Sequence, residues 1–464
     1  MKKMRNLLIL SCVLFGLSGC SDWLTIQPET QITEEDMFKT QGGFYDALIG
    51  CYTLMRNNYS PDGPMVLGAT EYMANLWYTN AESGTAYEYV VHDYRADLVE
   101  NTLSRLFLNQ YEIIANLNNL LRHIDGQDNV LSSGERDLYR GEALGMRAFI
   151  HFDLIRLWGP MPGQVNENYL YLPYVLNVQL ENYSYSNYRN YMAQLRTDLD
   201  SAELLLQRVD PAVAGNAYQS TYGANRKNRM NYYAVLGLQA RVHLWLGERE
   251  EALRYARLVR DAVNESGVGV FVLGTQEDFN RYDRVLYSSE QLFGLSLEEF
   301  ADNMIADGNS PAFSQTSARI AALYPSSDIR SQLWYAARGD YRSPNKYGNM
   351  ASYDTENPAP YSSVPLLRLA EMYLIIAECA DLTEANTMYT DFLASRGVET
   401  TELTEANRGE VIQLEYLKEF LAEGQMFFVY KRFGAVTMRW SNRENGVDDY
   451  VLPLPLRELS TTEN

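Results

Sequence analysis

The chain has 464 residues, 46% hydrophobic and 21% charged, with 30 glycines and 15 prolines. That composition excludes a disordered, collagen-like or disulfide-scaffold chain and fits a globular one with a core of normal size. Lys plus Arg number 39 against 60 Asp plus Glu, a formal net charge of -21 with no basic stripe, so nucleic acid is excluded as a partner and a neutral ligand fits better than an acidic polymer.

In chain order, the first element is a short apolar leader. Residues 1–6 carry Lys2, Lys3 and Arg5 and no acid, and Leu7 to Leu17 is an apolar run of eleven. That is the size of a signal-peptide core and too short to span a bilayer. Leu17-Ser18-Gly19-Cys20 follows, and small residues before a cysteine at this point are similar to a bacterial lipobox. Residues 1–19 are therefore expected to be removed and Cys20 lipidated, which anchors a chain without a spanning helix. An ordinary secretory signal is the competing reading. Cys51 and Cys379 each sit in an apolar helical pattern, and buried free thiols are expected there rather than a disulfide. No CxxC and no metal spacing occurs.

Helical periodicity dominates the rest. Phe107, Tyr111, Ile114, Leu117 and Leu121 recur every three or four residues. Leu144, Ala148, Phe152, Ile155 and Trp158 follow the same rule, and Gly159-Pro160 ends that helix. Val235, Leu238, Val242 and Trp245 form one stripe, while Leu236, Ala240 and Leu244 form a second. A helix with two stripes is buried on both sides. Gly247 breaks it, and 250–262 reads as its antiparallel partner with Ala252, Ala256 and Val259 inward. Leu367, Ala370, Leu374 and Ala377, beside Leu366, Leu369, Tyr373, Ile376 and Ala380, repeat the two-stripe design, and a second helix is predicted over 383–395. These pairs are similar to tetratricopeptide-type hairpins, with GEREEALRYA (247–256) resembling the second-helix signature. The expected fold is all-α dominated: a tetratricopeptide-like helical-hairpin scaffold with long irregular loops. Length allows about two to four domains, but no sequence signal marks a boundary, so 20–464 is read as one domain.

Two stretches depart from the helical rule, about 56–97 and 266–362, both rich in Tyr, Gly, Pro, Ser, Asn or Asp. Tyr totals 35 against 16 Phe and 6 Trp, and these segments hold much of that excess. A tyrosine has a flat apolar face and a polar tip, which suits wet contact surfaces. Long irregular segments in a compact chain are usually functional.

Catalytic signatures are missing. There is no HExxH, P-loop, GxGxxG or GxSxG, and the histidines are His92, His123, His151 and His243. His151 and His243 lie in helical stripes and read as satisfied core residues. No catalytic residue, metal ligand or cofactor is assigned. A carboxylate pair among the 60 acids stays open, because glycosidase pairs are recognised by geometry.

Several segments, in order from residue 20 to 459, resemble the SusD/RagB outer-membrane lipoproteins of the Bacteroidetes. Trp23-Leu24 with Pro28 resembles the family's opening, and GGFYDALIGCYTLM (42–55) its first helix. YEIIANLNNLL (111–121) is similar to its paired-Asn helix, and GEALGMRAFIHFDLIRLWGPMP (141–162) to its most recognisable block. VPLLRLAEMYLIIAECA (364–380), FLAEGQMFFVYKRFG (420–434) and LPLPLREL (452–459) resemble the carboxyl-terminal blocks. One departure stands out. The family usually has Glu-Gly-x-Arg, an aromatic pair and Asp, whereas Glu423-Gly424 is followed here by Gln425, Met426, Phe427, Phe428 and Val429. An Arg and an Asp are missing together, which reads as loss of a structural ion pair that apolar substitution can tolerate.

The resemblance implies a surface-exposed, non-catalytic, glycan-binding lipoprotein at the outer membrane. Such a protein hands oligosaccharides to a SusC-like TonB-dependent transporter. It also implies ligand contacts from the region after the first helix and from the mid-chain loops. Sugars offer C–H patches to aromatic faces and hydroxyls to polar groups. Trp77 and Tyr78 are expected to stack, Asn80 to bond a hydroxyl, and Tyr282 and Phe313 to contribute from the second region, with core or lid packing as the competing reading of each. Arg147, Asp153, Arg156, Arg368, Glu371 and Glu378 match family blocks but lie on packed helices, where paired structural charges are expected. A peptide-binding scaffold and a tethered glycosidase are the alternative functions.

Overall fold

The apolar stripes fold close to the boundaries their spacing predicts, because each stripe needs a neighbour to cover it. We describe residues 33–126, 129–216, 225–280, 289–296, 313–336, 339–344, 346 and 363–462 of a computed structural model. The leader segment, Cys20 and Tyr282 lie outside the described residues. The chain enters through α1 (Glu34–Met37) and α2 (Gln41–Tyr59). Two short helices, α3 (Ala69–Met73) and α4 (Thr85–Val90), precede the long pair α5 (Asp97–Ile124) and α6 (Ser133–Trp158). An antiparallel ribbon of β1 (Leu170–Leu172) and β2 (Ser186–Asn187) leads to α7 (Tyr188–Val209). The hairpin of α8 (Tyr232–Trp245) and α9 (Arg249–Arg260) follows, then α10 (Gln276–Asn280) and β3 (Gln291–Ser296). Next come β4 (Gln315–Thr316), α11 (Ser317–Leu323), β5 (Trp334–Ala336) and β6 (Tyr341–Pro344). Strand β7 (Ser363–Arg368) runs straight into α12 (Leu369–Cys379), followed by α13 (Leu382–Ser395), α14 (Arg408–Phe420), α15 (Met426–Phe433), α16 (Val447–Tyr450) and α17 (Leu456–Thr462).

Each long helix packs on its neighbours in the chain: α2 on α5, α5 on α6, α6 on α7, α7 on α8, α8 on α9, α9 on α12, and α12 on α13 and α14. That succession is the tetratricopeptide-like stack expected from the stripes. Gly247, at φ 76°, makes the left-handed break between α8 and α9. Helix α6 starts with a capping box of Ser132 and Glu135 and stops at Gly159. From Gly141 to Trp158 every residue is buried. The close crossing with α7 requires Gly141, where a Cβ would lie 2.7 Å from Leu206 Cγ. Two segments differ from the reading by stripes. Leu366 and Leu367, read as helical, lie on strand β7, and the helix starts only at Leu369. Residues 56–97 are not wholly irregular, for α2 extends to Tyr59 and α3 and α4 fall inside. At five and six residues they are too short to carry a periodic signal.

Charges inside this stack are paired. Arg147 donates to both oxygens of Asp198 at 2.7 Å and to Asn118 Oδ1 at 2.7 Å. Arg241 grips Glu371 through Nε and Nη2, both at 2.7 Å, and Arg432 grips Glu378 at 2.6 and 2.8 Å. Asp153 takes Arg156 from its own helix and the Tyr59 hydroxyl at 2.6 Å. The histidines read as core residues are core. His151 Nε2 accepts from Val175 N–H at 3.2 Å while Nδ1 meets the Tyr191 hydroxyl at 2.8 Å, and His243 Nδ1 meets Glu248 Oε2. Cys51 is buried, Cys379 is half-buried, and both are free. Burial pushes both thiols up to about 12.

A second charged cluster locks the sheet to the carboxyl-terminal helices. β3 pairs antiparallel with β7, Gln291 opposite Arg368 and Ser296 opposite Ser363. Arg368 donates to Glu290, Glu419 and Glu423 at 2.8–3.0 Å. Arg396 donates to Glu290 and Glu419 at 2.8 Å, and Arg330 to Asp328 at 2.9 and 2.7 Å and to Glu419 at 3.1 Å. Burial alone would raise the Glu419 carboxyl, but Arg396, Arg368 and Arg330 hold it well below its usual range. Where the resemblance expects an Arg and an Asp, Met426 and Val429 are buried beside Phe427 and Phe428.

Candidate functional site

The 69–80 segment is set by its anchors. Glu71 on α3 is wholly buried, and its two oxygens accept the backbone N–H groups of Ala422 (3.1 Å) and Gly424 (2.7 Å). Burial raises this carboxyl to about 8, with the two amides pulling the other way. Gly424 is required at this contact: its φ is 71° and a Cβ would lie 1.9 Å from the Met65 carbonyl oxygen. Asn75, at φ 59°, turns the chain out of α3. His92 Nε2 meets the Met73 carbonyl at 2.8 Å, and Nδ1 meets Asp449 Oδ1 at 3.1 Å.

Beyond that turn the segment is zipped to a small three-stranded sheet of order β4-β6-β5. Tyr78 N–H donates to the Ser314 carbonyl at 2.8 Å. The Gln315 amide donates to the Leu76 carbonyl at 3.1 Å. β4 pairs with β6 so that Thr316 faces Tyr341. The 69–80 segment and the mid-chain loop, more than 200 residues apart in the sequence, thus present their rings side by side.

The expectation of an exposed stacking ring is corrected at Trp77. Its indole N–H donates to the Leu67 carbonyl at 2.7 Å and the ring is 2% exposed. It packs 6.0 Å from Phe313 and edge-on to Trp334 at 6.4 Å. Both faces are spent on protein, and the largest apolar ring of the segment was drawn inward by the area it buries. The outer layer is built on it. Tyr78 is half-buried, with its ring 5.2 Å from the half-buried ring of Tyr341. Phe313 is half-buried and lies 6.3 Å from Tyr72, which stacks on Tyr89 at 6.2 Å. Asn80 is exposed. Nearby, the Arg319 guanidinium lies 5.8 Å above the half-buried Trp440 ring. Of the expected contact residues, Tyr78, Asn80 and Phe313 thus keep surface in water.

Tyr341 and Tyr72 are the rings that sequence reasoning missed. Tyr72 lies within the 70–80 segment and carried no mark beyond the aromatic excess. Tyr341 joins the face only through the β4–β6 register. Two grooves among the described residues lie elsewhere. One of about 500 Å³ runs between α14 and residues 437–441, and another of about 300 Å³ borders Asn118, Arg122 and Arg140. Neither is lined by Tyr72, Tyr78, Phe313 or Tyr341. Half-buried rings beside an exposed amide can cover C–H patches and bond hydroxyls together. Among the described residues the acids that burial raises, Glu71, Glu203 and Glu290, are each held by protein donors. Among the described residues no group of three or more His, Cys, Asp or Glu is placed to hold a metal, and no helix is long and apolar enough to cross a membrane.

Residues 22–244 match a SusD-like family model described as starch-binding associating with outer membrane. A SusD-like protein of Formosa agariphila is 22% identical over 179 residues, which cover 34% of this chain and 31% of that protein. The chain thus spans about a third of the length of that curated relative. Among solved structures, a SusD superfamily protein from Bacteroides thetaiotaomicron superposes with a TM-score of 0.69 at 20% identity, covering 91% of this chain and 98% of the other. A laminarin-binding SusD-like protein superposes with a TM-score of 0.66 at 14% identity, covering 91% and 98%. A SusD-like carbohydrate-binding protein from Bacteroides vulgatus reaches 0.64 at 20% identity, covering 85% and 83%.

Proposed function

We propose that the chain is a SusD-family protein, which the match over residues 22–244 and the shared fold support, and that its tyrosine-bearing face captures oligosaccharides at the cell exterior for a TonB-dependent outer-membrane transporter. The observation that carries this reading is the Tyr78–Tyr341 pair beside exposed Asn80. Two half-buried rings from distant segments, each with a hydroxyl, form a platform of the kind that holds a sugar by several weak contacts at once. The family match and the laminarin-binding neighbour support carbohydrate over other neutral ligands. Phe313 and Tyr72 extend the platform, and Trp77 stiffens it from beneath. In this reading Cys20 carries the lipid that holds the protein at the membrane.

Affinity electrophoresis and calorimetry with laminarin and starch oligosaccharides test it. Retardation without new reducing ends, weakened in Tyr78→Ala and Tyr341→Ala, is the expected result. New reducing ends would make the protein a glycosidase, and binding of peptides alone would select the peptide reading. Co-isolation of a TonB-dependent transporter from native outer membranes, lost when Cys20→Ala blocks anchoring, tests delivery.

A further inference from the structure

Five helices, α6, α8, α12, α14 and α15, line a second feature, a small and partly open cavity of about 40 Å³. Its wall includes Arg156, Arg241, Glu371, Tyr416, Phe428 and Val429. Three polar atoms of that wall, Arg156 Nε, Arg241 Nη1 and the Tyr416 hydroxyl, are buried with no hydrogen-bond partner among the described residues. Arg156, Arg241 and Tyr416 are 3%, 6% and 3% exposed, so bulk water does not serve them. A buried donor left unmatched is costly, and a guanidinium can only donate.

The acids around the cavity are already spent. Glu371 gives both oxygens to Arg241, and Glu378 gives both to Arg432. Asp153 is shared by Arg156 and the Tyr59 hydroxyl. Each of the three guanidinium groups therefore has one carboxylate, and the donors left over face the cavity. Behind them Lys431 lies wholly buried, its Nζ donating to the carbonyls of Arg156 (2.7 Å) and Gly159 (2.8 Å) with no carboxylate bound. Burial, then the neighbouring Arg156, push its ammonium well below its ordinary value. The Arg156 plane is sandwiched between Phe428 at 3.8 Å and Phe152 at 4.6 Å, which leaves its Nε edge as the polar face.

We infer that this cavity is a buried binding site for a small monovalent anion of the halide class, held by Arg156 Nε, Arg241 Nη1 and the Tyr416 hydroxyl. The space exceeds the roughly 10–15 Å³ that one water needs and is far too small for a sugar. Two cationic guanidinium edges and a hydroxyl border this space, which favours an anion over a water, whose own hydrogens would find only the Tyr416 oxygen to accept them. The anion would bridge these three side chains and so link α6 and α8 to α14.

Crystals of the native protein grown in sodium bromide test the inference directly. An anomalous bromine peak within contact of Arg156 Nε, Arg241 Nη1 and Tyr416 is expected, and a water there in bromide-grown crystals overturns it. In solution, the melting temperature should rise with chloride but not with gluconate at equal ionic strength, since a ligand that binds only the folded state stabilises it. Equal curves in the two salts overturn the inference. Tyr416→Phe keeps the ring and should raise the chloride midpoint about tenfold. Val429→Asp places a carboxylate on the cavity wall and should abolish the chloride dependence. A chloride response unchanged in both variants overturns the site even if the native protein responds.

Discussion

The helical wall and the tyrosine face use the same kinds of side chain in opposite ways. In the wall, Arg147 and Arg241 are buried and Arg432 is half-buried, each fixed to a carboxylate by two hydrogen bonds. Rings such as Phe152 and Trp158 are core there. In the face, Tyr78, Tyr341, Phe313 and Tyr72 keep part of their surface in water, and the buried ring beneath them, Trp77, is their floor. The wall is held by interactions whose loss leaves a charge stranded. The face is held by two backbone and amide bonds and by ring contacts. Removing a wall residue should therefore unfold, whereas removing a face residue should unbind.

The largest effect belongs to Arg396→Met. It takes one guanidinium from Glu290 and Glu419 and leaves Arg368 and Arg330 to hold a buried cluster with too few cations, and a loss of about 3–5 kcal/mol is expected in urea unfolding. A loss below about 1 kcal/mol would break the contrast. Trp77→Ala comes next, at about 3 kcal/mol or more for a buried ring with a spent indole N–H. Circular dichroism during melting should show it before any binding assay does. An unchanged melting point with lost oligosaccharide binding would return Trp77 to the binding surface.

His151 offers a pH test of the wall. Burial, then Arg147, push its imidazole well below the ordinary value. The geometry agrees, because the Val175 N–H points at the nitrogen that would take the extra proton. The unfolded chain protonates this ring near 6.5 and the folded chain does not, so the stability it contributes is present above about pH 6.5 and is lost as pH falls below it. His151→Gln should cost about 2 kcal/mol at pH 7.5 and show a shallower fall in melting temperature between pH 6.5 and 5. An identical acid slope in the two proteins would count against a neutral buried ring.

The smallest effect on stability is expected at the face. Tyr78→Ala should stay within about 1 kcal/mol of the parent protein while weakening oligosaccharide binding about three- to tenfold. Tyr78→Phe, which keeps the ring and loses the hydroxyl, sharpens the comparison by separating stacking from hydrogen bonding. A Tyr78→Ala protein that melts early and binds normally would place this ring in the wall's category.

Much of the wall was legible in the order of residues. Stripes at 107–121, 144–158, 235–245 and 366–380 marked the helices, and Gly247 and Gly159 marked their ends. A helix announces itself locally, because residues three and four apart share a face. Arg147, Arg368, Glu371 and Glu378 were readable as structural since they lay on those stripes. The short helices α3 and α4 were not, because they lack a full period. The face was legible only as a composition: tyrosines in excess, gathered in two irregular stretches. Which of them point outward was not written there. Trp77 and Tyr78 are neighbours of similar chemistry, yet one is floor and the other surface.

The sequence by itself determined the helices, their hairpin order and the need to pair the charges on their buried stripes, for each of these follows from spacings within about one turn to a few turns of chain. Only the tertiary structure decided that Ser314 would clip Tyr78 and that β4 would bring Tyr341 beside it. It also decided that Arg156, Arg241 and Tyr416 would face a common cavity. The physical reason is one of range: side-chain orientation at an irregular segment is set by the strand or helix it docks on, and that partner lies hundreds of residues away.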